Sequence, residues 1–368
     1  MSPSQKKSLG RKIVLLLVST FFSLAVVELS LWLFAPVHFH EWLQWQADGH
    51  IKGRGVPGTA ITTAESVRVR INNLGFRGPE RDWHPARGTL RIITFGGSST
   101  FNYYLAEEDT WPGVLQAELA KALNRPVEVI NMSLPGFSTV ESCINYMTSG
   151  RQLHPHLALL YQSWNDIKFF RSLEKSPRMA VFARVVPNRP LWQKIARRFQ
   201  LCRRLKIIYQ GYSRRKKENY YTSLEQAGES ADRMPDESVF AWAERNFRDF
   251  TCLVRGDNVL PVLVSQATLA VPENLGNEEC RVAVLNDLAG MTMPVLVNCF
   301  LRMRNTLRLV AETEGAVYID GYSAVDPTLD NLQDHVHFKI DGARKLGRKI
   351  AEDLLADPGF LELVENIR

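Results

Sequence analysis

The sequence predicts an α/β fold in which a mostly parallel sheet is covered by helices. From Leu90 onward, short apolar segments alternate with segments whose apolar residues recur at helical spacing. The short segments are apolar at nearly every position, which is typical of parallel strands that are buried on both faces. A separate apolar run near the N-terminus predicts one transmembrane helix ahead of this domain.

The N-terminal run extends from Ile13 to Phe34 and contains one acidic residue, Glu28. At about 1.5 Å per residue it is roughly 33 Å long, enough to cross the hydrocarbon core of a bilayer. Lys and Arg precede it and none follows until Lys52, so the positive-inside rule predicts that the rest of the chain is exported. A cleaved signal peptide is the alternative, but the run is long for one and no small-residue cleavage site follows it.

These features divide the chain into four parts. Residues 1–12 are predicted to form a cytoplasmic tail, residues 13–35 the transmembrane signal-anchor helix, and residues 36–88 a juxtamembrane linker. Residues 89–368 form the α/β domain. We expect the protein in the inner membrane, with this domain on the extracytoplasmic (periplasmic) side. Glu28 either contacts another helix within the membrane or reaches its outer surface.

Strands and helices are predicted to alternate along the domain. The predicted strands are Leu90–Phe95, Val127–Asn131, Leu157–Tyr161, Val259–Ser265 and Ala316–Ile319. The predicted helices are Thr110–Leu123, Val140–Ser149, Val239–Leu253, Cys299–Thr313 and Ala343–Leu355.

A basic helical insertion interrupts the alternation at about residues 170–235. Ten Lys or Arg and no Asp or Glu lie between Lys194 and Lys217, whereas the whole chain has a net charge of +6. Apolar residues at steps of three and four indicate an amphipathic helix. This helix either packs on the domain or contacts anionic lipid or an acidic glycan, and export argues against nucleic acid. The residues assigned to such contacts are Lys194, Arg197, Arg198, Arg203 and Arg204.

The cysteines and histidines predict neither a metal site nor a cofactor. The five cysteines include no CxxC pair, which argues against a zinc ribbon. Export permits a Cys280–Cys299 disulfide, and five buried free thiols are the alternative. Two HxH pairs supply two ligands each, too few for a zinc site. These pairs are His38 with His40 and His154 with His156.

Several polar motifs are placed where one pocket could form. Ser98 follows two glycines at the end of the first predicted strand, and Gly136 and Asn165 follow the next two strands. The carboxyl ends of parallel strands share one edge of a sheet, so these residues are expected to meet there. Near the C-terminus, Asp334 precedes His337 by three residues and can bond its Nδ1, leaving Nε2 to accept a proton from a serine hydroxyl. Each motif alone also fits a cap, a turn or a surface pair.

Jointly the motifs resemble those of the SGNH (GDSL-type) hydrolase superfamily, in particular its membrane-anchored bacterial branch. The resemblance rests on the stretch Asn72-Asn-Leu-Gly-Phe-Arg-Gly-Pro-Glu80 and on the block Gly96-Gly-Ser-Ser-Thr100, as well as on the motifs above. It covers roughly residues 70–170 and 236–355. It implies a flavodoxin-like, three-layer α/β/α fold.

The resemblance also implies roles for individual residues. Ser98 would be the nucleophile and His337 the general base, oriented by Asp334. The Ser98 amide, the Gly136 amide and the Asn165 side chain would form the oxyanion hole. His335 is expected to point away from this site.

Two positions depart from the family pattern, and a third leaves open which serine is the nucleophile. Gly97 stands where the family name places Asp, and Ser163 stands where the third block often has Gly. Ser99 could compete with Ser98, although the place directly after two glycines favours Ser98.

The resemblance implies a serine-dependent ester hydrolase or O-acyltransferase that acts on an exported carbohydrate ester, with acetyl as the acyl group. A non-catalytic, membrane-tethered glycan-binding subunit of a polysaccharide modification or export system is the first alternative. A lipase is the second, and it would require an apolar channel beside Ser98, for which Tyr103, Tyr104 and Phe169 are candidates.

Overall fold

The computed structural model describes residues 3–34, 45–46, 54–62, 67–175, 199–202, 204–205, 208–209, 231–285 and 288–367. The chain divides into two compact units. The first unit contains Met1–Glu41 and Pro187–Lys217, and the second contains Trp42–Val186 and Glu218–Arg368.

The strands are β1 (Trp45–Gln46), β2 (Arg54–Gly55), β3 (Ala60–Thr62), β4 (Arg68–Arg70), β5 (Leu90–Gly96), β6 (Val127–Asn131), β7 (Leu157–Tyr161), β8 (Leu260–Val264) and β9 (Val317–Ile319). The helices with defined bounds are α1 (Pro3–Phe34), α2 (Ser98–Phe101), α3 (Trp111–Leu123), α4 (Thr139–Thr148), α5 (Trp164–Ile167), α6 (Phe170–Lys175), α7 (Glu237–Gly256), α8 (Glu278–Leu285), α9 (Met293–Glu314), α10 (Gly321–Ala324), α11 (Ile340–Ala356) and α12 (Pro358–Asn366).

Helix α1 dominates the first unit. Its stretch Arg11–Phe34 has a mean hydropathy of 2.3 and is long and apolar enough to cross a membrane. The helix already begins at Pro3, so residues 3–12 of the predicted tail continue it. The same unit contains helical residues at 200–202, 204–205 and 208–209.

Most of the predicted basic insertion lies outside the described residues. This holds for Lys194, Arg197, Arg198 and Arg203, whereas Arg204 is described and half-buried. His38 and His40 also lie outside the described residues.

The second unit is built on a five-stranded parallel sheet with the order β6-β5-β7-β8-β9. In chain order this is 2-1-3-4-5, the flavodoxin-like arrangement. The predicted α/β fold with a parallel sheet is therefore confirmed. Every residue of β5 and of β7 is buried, as expected for strands covered on both faces.

Helices form a layer on each face of this sheet. The chain passes from β5 to β6 and then back across β5 to β7, so right-handed crossovers place α3 and α4 on opposite faces. Helix α11 packs against α3, and α7 packs against both α4 and α9. Local signals set the bounds of α3, because the Thr110 hydroxyl accepts the Gly113 N–H at its start and Asn124 adopts a left-handed conformation at its end.

Part of the predicted juxtamembrane linker is folded into the second unit. Strands β3 and β4 form an antiparallel pair, and Leu74 and Phe76 belong to the main hydrophobic core. Asn72 is also buried and its side-chain oxygen accepts the N–H groups of Leu74 and Phe76. The described residues of the linker, 45–46, 54–62 and 67–88, therefore lie within the same compact unit as the sheet.

All five cysteines are free, so the permitted Cys280–Cys299 disulfide is not formed. The alternative of five buried thiols is also wrong, because Cys202 and Cys252 are exposed. Burial raises the pKa of the Cys299 thiol to about 12, which keeps it protonated and chemically inert.

Candidate active site

The predicted site residues lie at the point where the strand order reverses. Strands β5 and β7 are neighbours, with Gly96 paired to Tyr161 at their carboxyl ends. The chain leaves β5 toward one edge of the sheet and leaves β7 toward the other, so the loops that follow them open a crevice. Ser98 begins α2 directly after β5, and Asn165 lies in α5 directly after β7.

The structure brings Ser98, His337 and Asp334 into one chain of hydrogen bonds. The Ser98 Oγ lies 2.7 Å from the His337 Nε2, across 239 positions of sequence. The His337 Nδ1 lies 2.7 Å from Asp334 Oδ2 and 2.9 Å from Asp334 Oδ1. A hydroxyl, an imidazole and a carboxylate in this order form the arrangement that activates a serine as a nucleophile.

The loop around Asp334 holds the imidazole in place. Asp334 Oδ1 also accepts the backbone N–H groups of Val336 and His337, at 3.1 and 2.9 Å. Burial by itself would raise the pKa of Asp334, but the hydrogen bond from the His337 ring and the nearby charges of His337 and His335 outweigh it and hold that pKa well below its ordinary value. An ionised Asp334 accepts the Nδ1 proton and so leaves Nε2 as the acceptor toward Ser98.

Asn165 lies directly against the turn that carries Ser98. A Cβ atom built on Gly97 would lie 2.1 Å from the Asn165 Nδ2 and 3.4 Å from the Phe137 carbonyl oxygen. The Asn165 Nδ2 donates one hydrogen bond to that same carbonyl oxygen, at 2.8 Å. A side-chain amide has two N–H groups, and this hydrogen bond uses one of them.

Gly136 lies in the same loop, immediately before Phe137. It has a φ of +82°, in the left-handed region that favours glycine. The loop after β6 thus reaches the turn that carries Ser98. The geometry places Asn165 beside Ser98, and it places Gly136 one residue from the carbonyl group that Asn165 contacts.

The packing at Gly97 gives a physical reason for the departure from the family pattern. Any side chain at this position would occupy the space of the Asn165 amide. Ser163 causes no comparable strain, since its φ of −166° is ordinary extended backbone. Neither Gly97 nor Ser163 disturbs the positions of Ser98, His337 and Asp334.

A Gly97→Ala substitution should lower kcat for ester hydrolysis by about 10- to 100-fold, because it displaces the Asn165 amide by an ångström or more. Steady-state kinetics with p-nitrophenyl acetate would measure the change. Gly256→Ala is the matched control, since a Cβ there meets nothing within 4 Å, and it should leave kcat unchanged. Equal rates for the two variants would show that the Asn165 amide plays no part in the reaction.

Ser99, the competing serine, is hydrogen-bonded to Gln266, a residue that the sequence analysis did not identify. The Gln266 Nε2 donates to the Ser99 Oγ at 2.9 Å, and the Gln266 Oε1 accepts the Trp164 N–H at 2.7 Å. Ser99 and Gln266 are both buried. Gln266 therefore joins the loops after β5, β7 and β8, and Ser98 is the serine that reaches the imidazole.

A second unpredicted contributor is Arg77, within the stretch that resembles the membrane-anchored branch. Its buried guanidinium donates to the carbonyl oxygens of Phe101, Asn102 and Leu105 and forms a 3.0 Å ion pair with Glu107. Burial lowers the pKa of Arg77, and the ion pair with Glu107 opposes that shift. Because these carbonyl groups belong to the end of α2 and to the turn after it, Arg77 holds the C-terminal end of the helix that begins with Ser98.

His335 lies outside the hydrogen-bonded chain. It is buried and packs edge-on against Trp164, with ring centroids 4.3 Å apart. Its Nδ1 lies 3.6 Å from Asp334 Oδ1, beyond an ordinary hydrogen bond. Within the described ranges, no group of three or more His, Cys, Asp or Glu side chains is arranged to hold a metal ion.

Neither protein-family models nor curated proteins match this chain. Several solved structures are similar to it. The acetylxylan esterase Axe2 from Geobacillus stearothermophilus is 10% identical, with a TM-score of 0.44 over 72% of this chain and 93% of that one. LAE5, an alpha/beta hydrolase from the metagenome of Lake Arreo, is 13% identical, with a TM-score of 0.41 over 74% of this chain and 96% of that one.

A third similar structure comes from Desulfitobacterium hafniense and is assigned to the G-D-S-L family of lipolytic proteins. It is 10% identical, with a TM-score of 0.41 over 72% of this chain and 98% of that one. G-D-S-L is the family whose motifs this sequence resembles.

Proposed function

We propose that the chain is a membrane-anchored, serine-dependent ester hydrolase or O-acyltransferase of the SGNH type. The observation that carries this proposal is the 2.7 Å distance between the Ser98 Oγ and the His337 Nε2, with Asp334 on the other side of the ring. A non-catalytic binding protein would not require the complete hydrogen-bonded chain of Ser98, His337 and Asp334. The geometry therefore favours the enzyme over the non-catalytic glycan-binding subunit.

In the first half of the reaction, the His337 Nε2 takes the hydroxyl proton of Ser98 while the Oγ attacks the carbonyl carbon of an ester. The carbonyl oxygen becomes an oxyanion beside the amide of Asn165, with the backbone N–H groups of Ser98 and Gly136 as the other proposed donors. The imidazolium then gives its proton to the leaving alcohol oxygen as the ester bond breaks. The product is an acyl group on the Ser98 oxygen.

In the second half, a water or a sugar hydroxyl attacks the acyl-enzyme. His337 takes a proton from that nucleophile and returns it to the Ser98 oxygen as the acyl group departs. Water gives a free acid, and a sugar hydroxyl gives a new ester. The same residues serve both outcomes, so the acceptor alone separates an esterase from a transferase.

An exported carbohydrate ester, with acetyl as the acyl group, is the substrate class that we propose. Tyr104 supports it, because this exposed aromatic ring lies beside His337, with ring centroids 6.5 Å apart and ring planes nearly perpendicular. Tyr103 instead packs with Phe101, and Phe169 packs against the main core. Because both side chains pack against hydrophobic clusters, they argue against the apolar channel that a lipase requires.

The helix Arg11–Phe34 supports the proposed membrane anchor by its length and hydropathy. The placement of the second unit on the extracytoplasmic side rests on the charge bias of the sequence around that helix. An exported glycan would reach an active site on that side.

Labelling with a fluorophosphonate probe would test the proposal directly. We expect the full-length protein in detergent to form a covalent adduct that peptide mass spectrometry maps to Ser98. An adduct at Ser99, or hydrolysis of p-nitrophenyl acetate with no adduct at either serine, would overturn the mechanism. Comparison of free acetate release with acetyl transfer to an added oligosaccharide would then separate the two reaction types.

A further inference from the structure

One acidic residue of helix α1, Glu28, contacts the helical residues near position 200 in the first unit. Glu28 is the one acid within Arg11–Phe34. Its two carboxylate oxygens accept the backbone N–H groups of Gln200 and Leu201, the latter at 2.9 Å. These residues begin the helical part of the segment, where a helix has no internal partners for its N–H groups. Glu28 therefore caps a helix that begins 172 positions later in the chain.

Burial along α1 identifies the face on which this contact forms. Among residues 11–34, Glu28 and Leu31 are half-buried and all others are exposed. Residues three positions apart lie on the same face of a helix. The contact therefore occupies one narrow face of α1, and the rest of its apolar surface is exposed.

The segment that Glu28 caps is itself apolar on an exposed face. We call residues 199–202, 204–205 and 208–209 the capped segment. Phe199, Leu205, Ile208 and Tyr209 are between 47% and 71% exposed. The last three recur at steps of three and one, so they form a single stripe along a helix. Exposure of a stripe of large apolar side chains to water is energetically unfavourable. Such a stripe indicates a surface that contacts a membrane or another protein.

The position of Glu28 sets the depth of this segment. Glu28 precedes Phe34, the end of the apolar helix, by six residues, or about 9 Å along the axis. Amphipathic helices that lie in the membrane interface bury their apolar face by roughly 5–10 Å. A helix capped by Glu28 thus begins at the depth that such helices occupy.

The positive charge of the sequence around the capped segment indicates the kind of membrane surface that it would bind. The sequence between Lys194 and Lys217 contains ten Lys or Arg and no acid. Clusters of basic residues near a bilayer are attracted by anionic head groups. An acidic stretch would have been repelled from the same surface.

We infer that the capped segment is a membrane-interface helix, docked on α1 through Glu28, and that its partner is the anionic phospholipid of the leaflet at the C-terminal end of α1. This inference rests on the proposed membrane anchor. It is independent of the esterase chemistry, which needs neither Glu28 nor the capped segment.

Two native cysteines provide a matched test. Cys202 lies in the capped segment, and Cys252 lies on α7 with its Sγ 3.8 Å from a Glu314 carboxylate oxygen. Both are exposed, whereas the other three cysteines are buried. A polarity-sensitive fluorophore would be attached to Cys202 in a Cys252→Ser variant, and to Cys252 in a Cys202→Ser variant. The full-length proteins would be placed in nanodiscs of phosphatidylglycerol that contain a lipid with a quencher near its head group.

We expect the Cys202 label to be quenched at least threefold more strongly than the Cys252 label. Glu28→Gln should reduce the difference, since an amide oxygen accepts these N–H groups more weakly than a carboxylate, and Glu28→Ala should reduce it further. The Cys252 label should be unaffected by either change. Neutral phosphatidylcholine should also reduce the quenching of the Cys202 label.

Equal quenching of the two labels would overturn the inference. Equal quenching of the Cys202 label in the two lipids would reject anionic phospholipid as the partner. Loss of that quenching on addition of an acidic polysaccharide would assign the surface to a glycan instead. Failure of the protein to enter nanodiscs would contradict the proposed anchor, and ester hydrolysis measured on the same samples would report on the active site separately.

Discussion

Replacing Ser98 by alanine is expected to lower kcat for p-nitrophenyl acetate by about 10⁶-fold, to the background rate, as loss of the nucleophile does in other serine-histidine-aspartate sites. The substitution removes the oxygen that lies 2.7 Å from the His337 Nε2, so no acyl-enzyme can form. The fold should not change, because Ser98 is half-exposed and alanine is a good helix former. Initial rates of the detergent-solubilised full-length protein would measure the effect, with near-ultraviolet circular dichroism as the test of folding.

Ser99→Ala is the matched control for this experiment. Ser99 is buried and accepts a hydrogen bond from Gln266, so its loss leaves a buried N–H group without its partner and costs about 1–3 kcal/mol of stability. We expect kcat to stay within about tenfold of the unmodified protein, since small shifts of a site cost less than loss of its nucleophile. If Ser99→Ala abolished activity and Ser98→Ala retained it, the two serines would have to exchange roles.

The sheet could be predicted because most residues of its strands are apolar and amphipathic helices separate them. The predicted bounds of Val127–Asn131 and Leu157–Tyr161 agree with the structure at both ends. Short or polar elements could not be predicted in this way. Strands β3 and β4 are three residues each, and β4 alternates exposed and buried positions around a single valine, Val69.

The site could be predicted where strand ends fix the position of a residue. Ser98, Gly136 and Asn165 each follow a strand, so the parallel sheet alone brings them to one edge. His337 follows no predicted strand, and its place beside Ser98 was implied by the family resemblance. The contacts that hold the loops together had no such signal, because Gln266 and Arg77 act through side chains whose partners lie far away in sequence.

The role of Glu28 illustrates the same limit. The sequence leaves open whether this acid contacts a helix or reaches the membrane surface. Its two partners are backbone N–H groups, which carry no residue identity, so no pattern in the sequence could identify them. A contact with backbone groups far along the chain therefore leaves no chemical signature in the sequence.

Replacing Asp334 by asparagine is expected to lower kcat by about 10⁴-fold while leaving the site geometry nearly unchanged. The carboxylate accepts the Nδ1 proton of His337 at 2.7 Å and stabilises the imidazolium that forms when Ser98 loses its proton. An amide can present its NH₂ group to the same nitrogen, which then holds the ring in the tautomer that protonates Nε2. The Ser98 hydroxyl would lose its proton acceptor. Steady-state kinetics would measure the loss. Asp330→Asn is the matched control and should leave kcat unchanged, because Asp330 is an exposed carboxylate four residues earlier in the sequence and outside the hydrogen-bonded chain.

The same substitution should change how stability depends on pH. Burial would raise the pKa of Asp334, but its hydrogen bond and the charges of His337 and His335 lower it below the usual 3.8. A lowered pKa stabilises the folded state above pH 3.8, and this contribution decreases as the pH falls below that value toward the folded-state pKa. Asp334→Asn should therefore reduce the Tm clearly at pH 7 and by a smaller amount at pH 3. A Tm difference of the same size at both pH values would mean that the ionised form of Asp334 is not preferred in the folded protein. That result would contradict the proposed role of Asp334, which is to orient His337 and stabilise its imidazolium form.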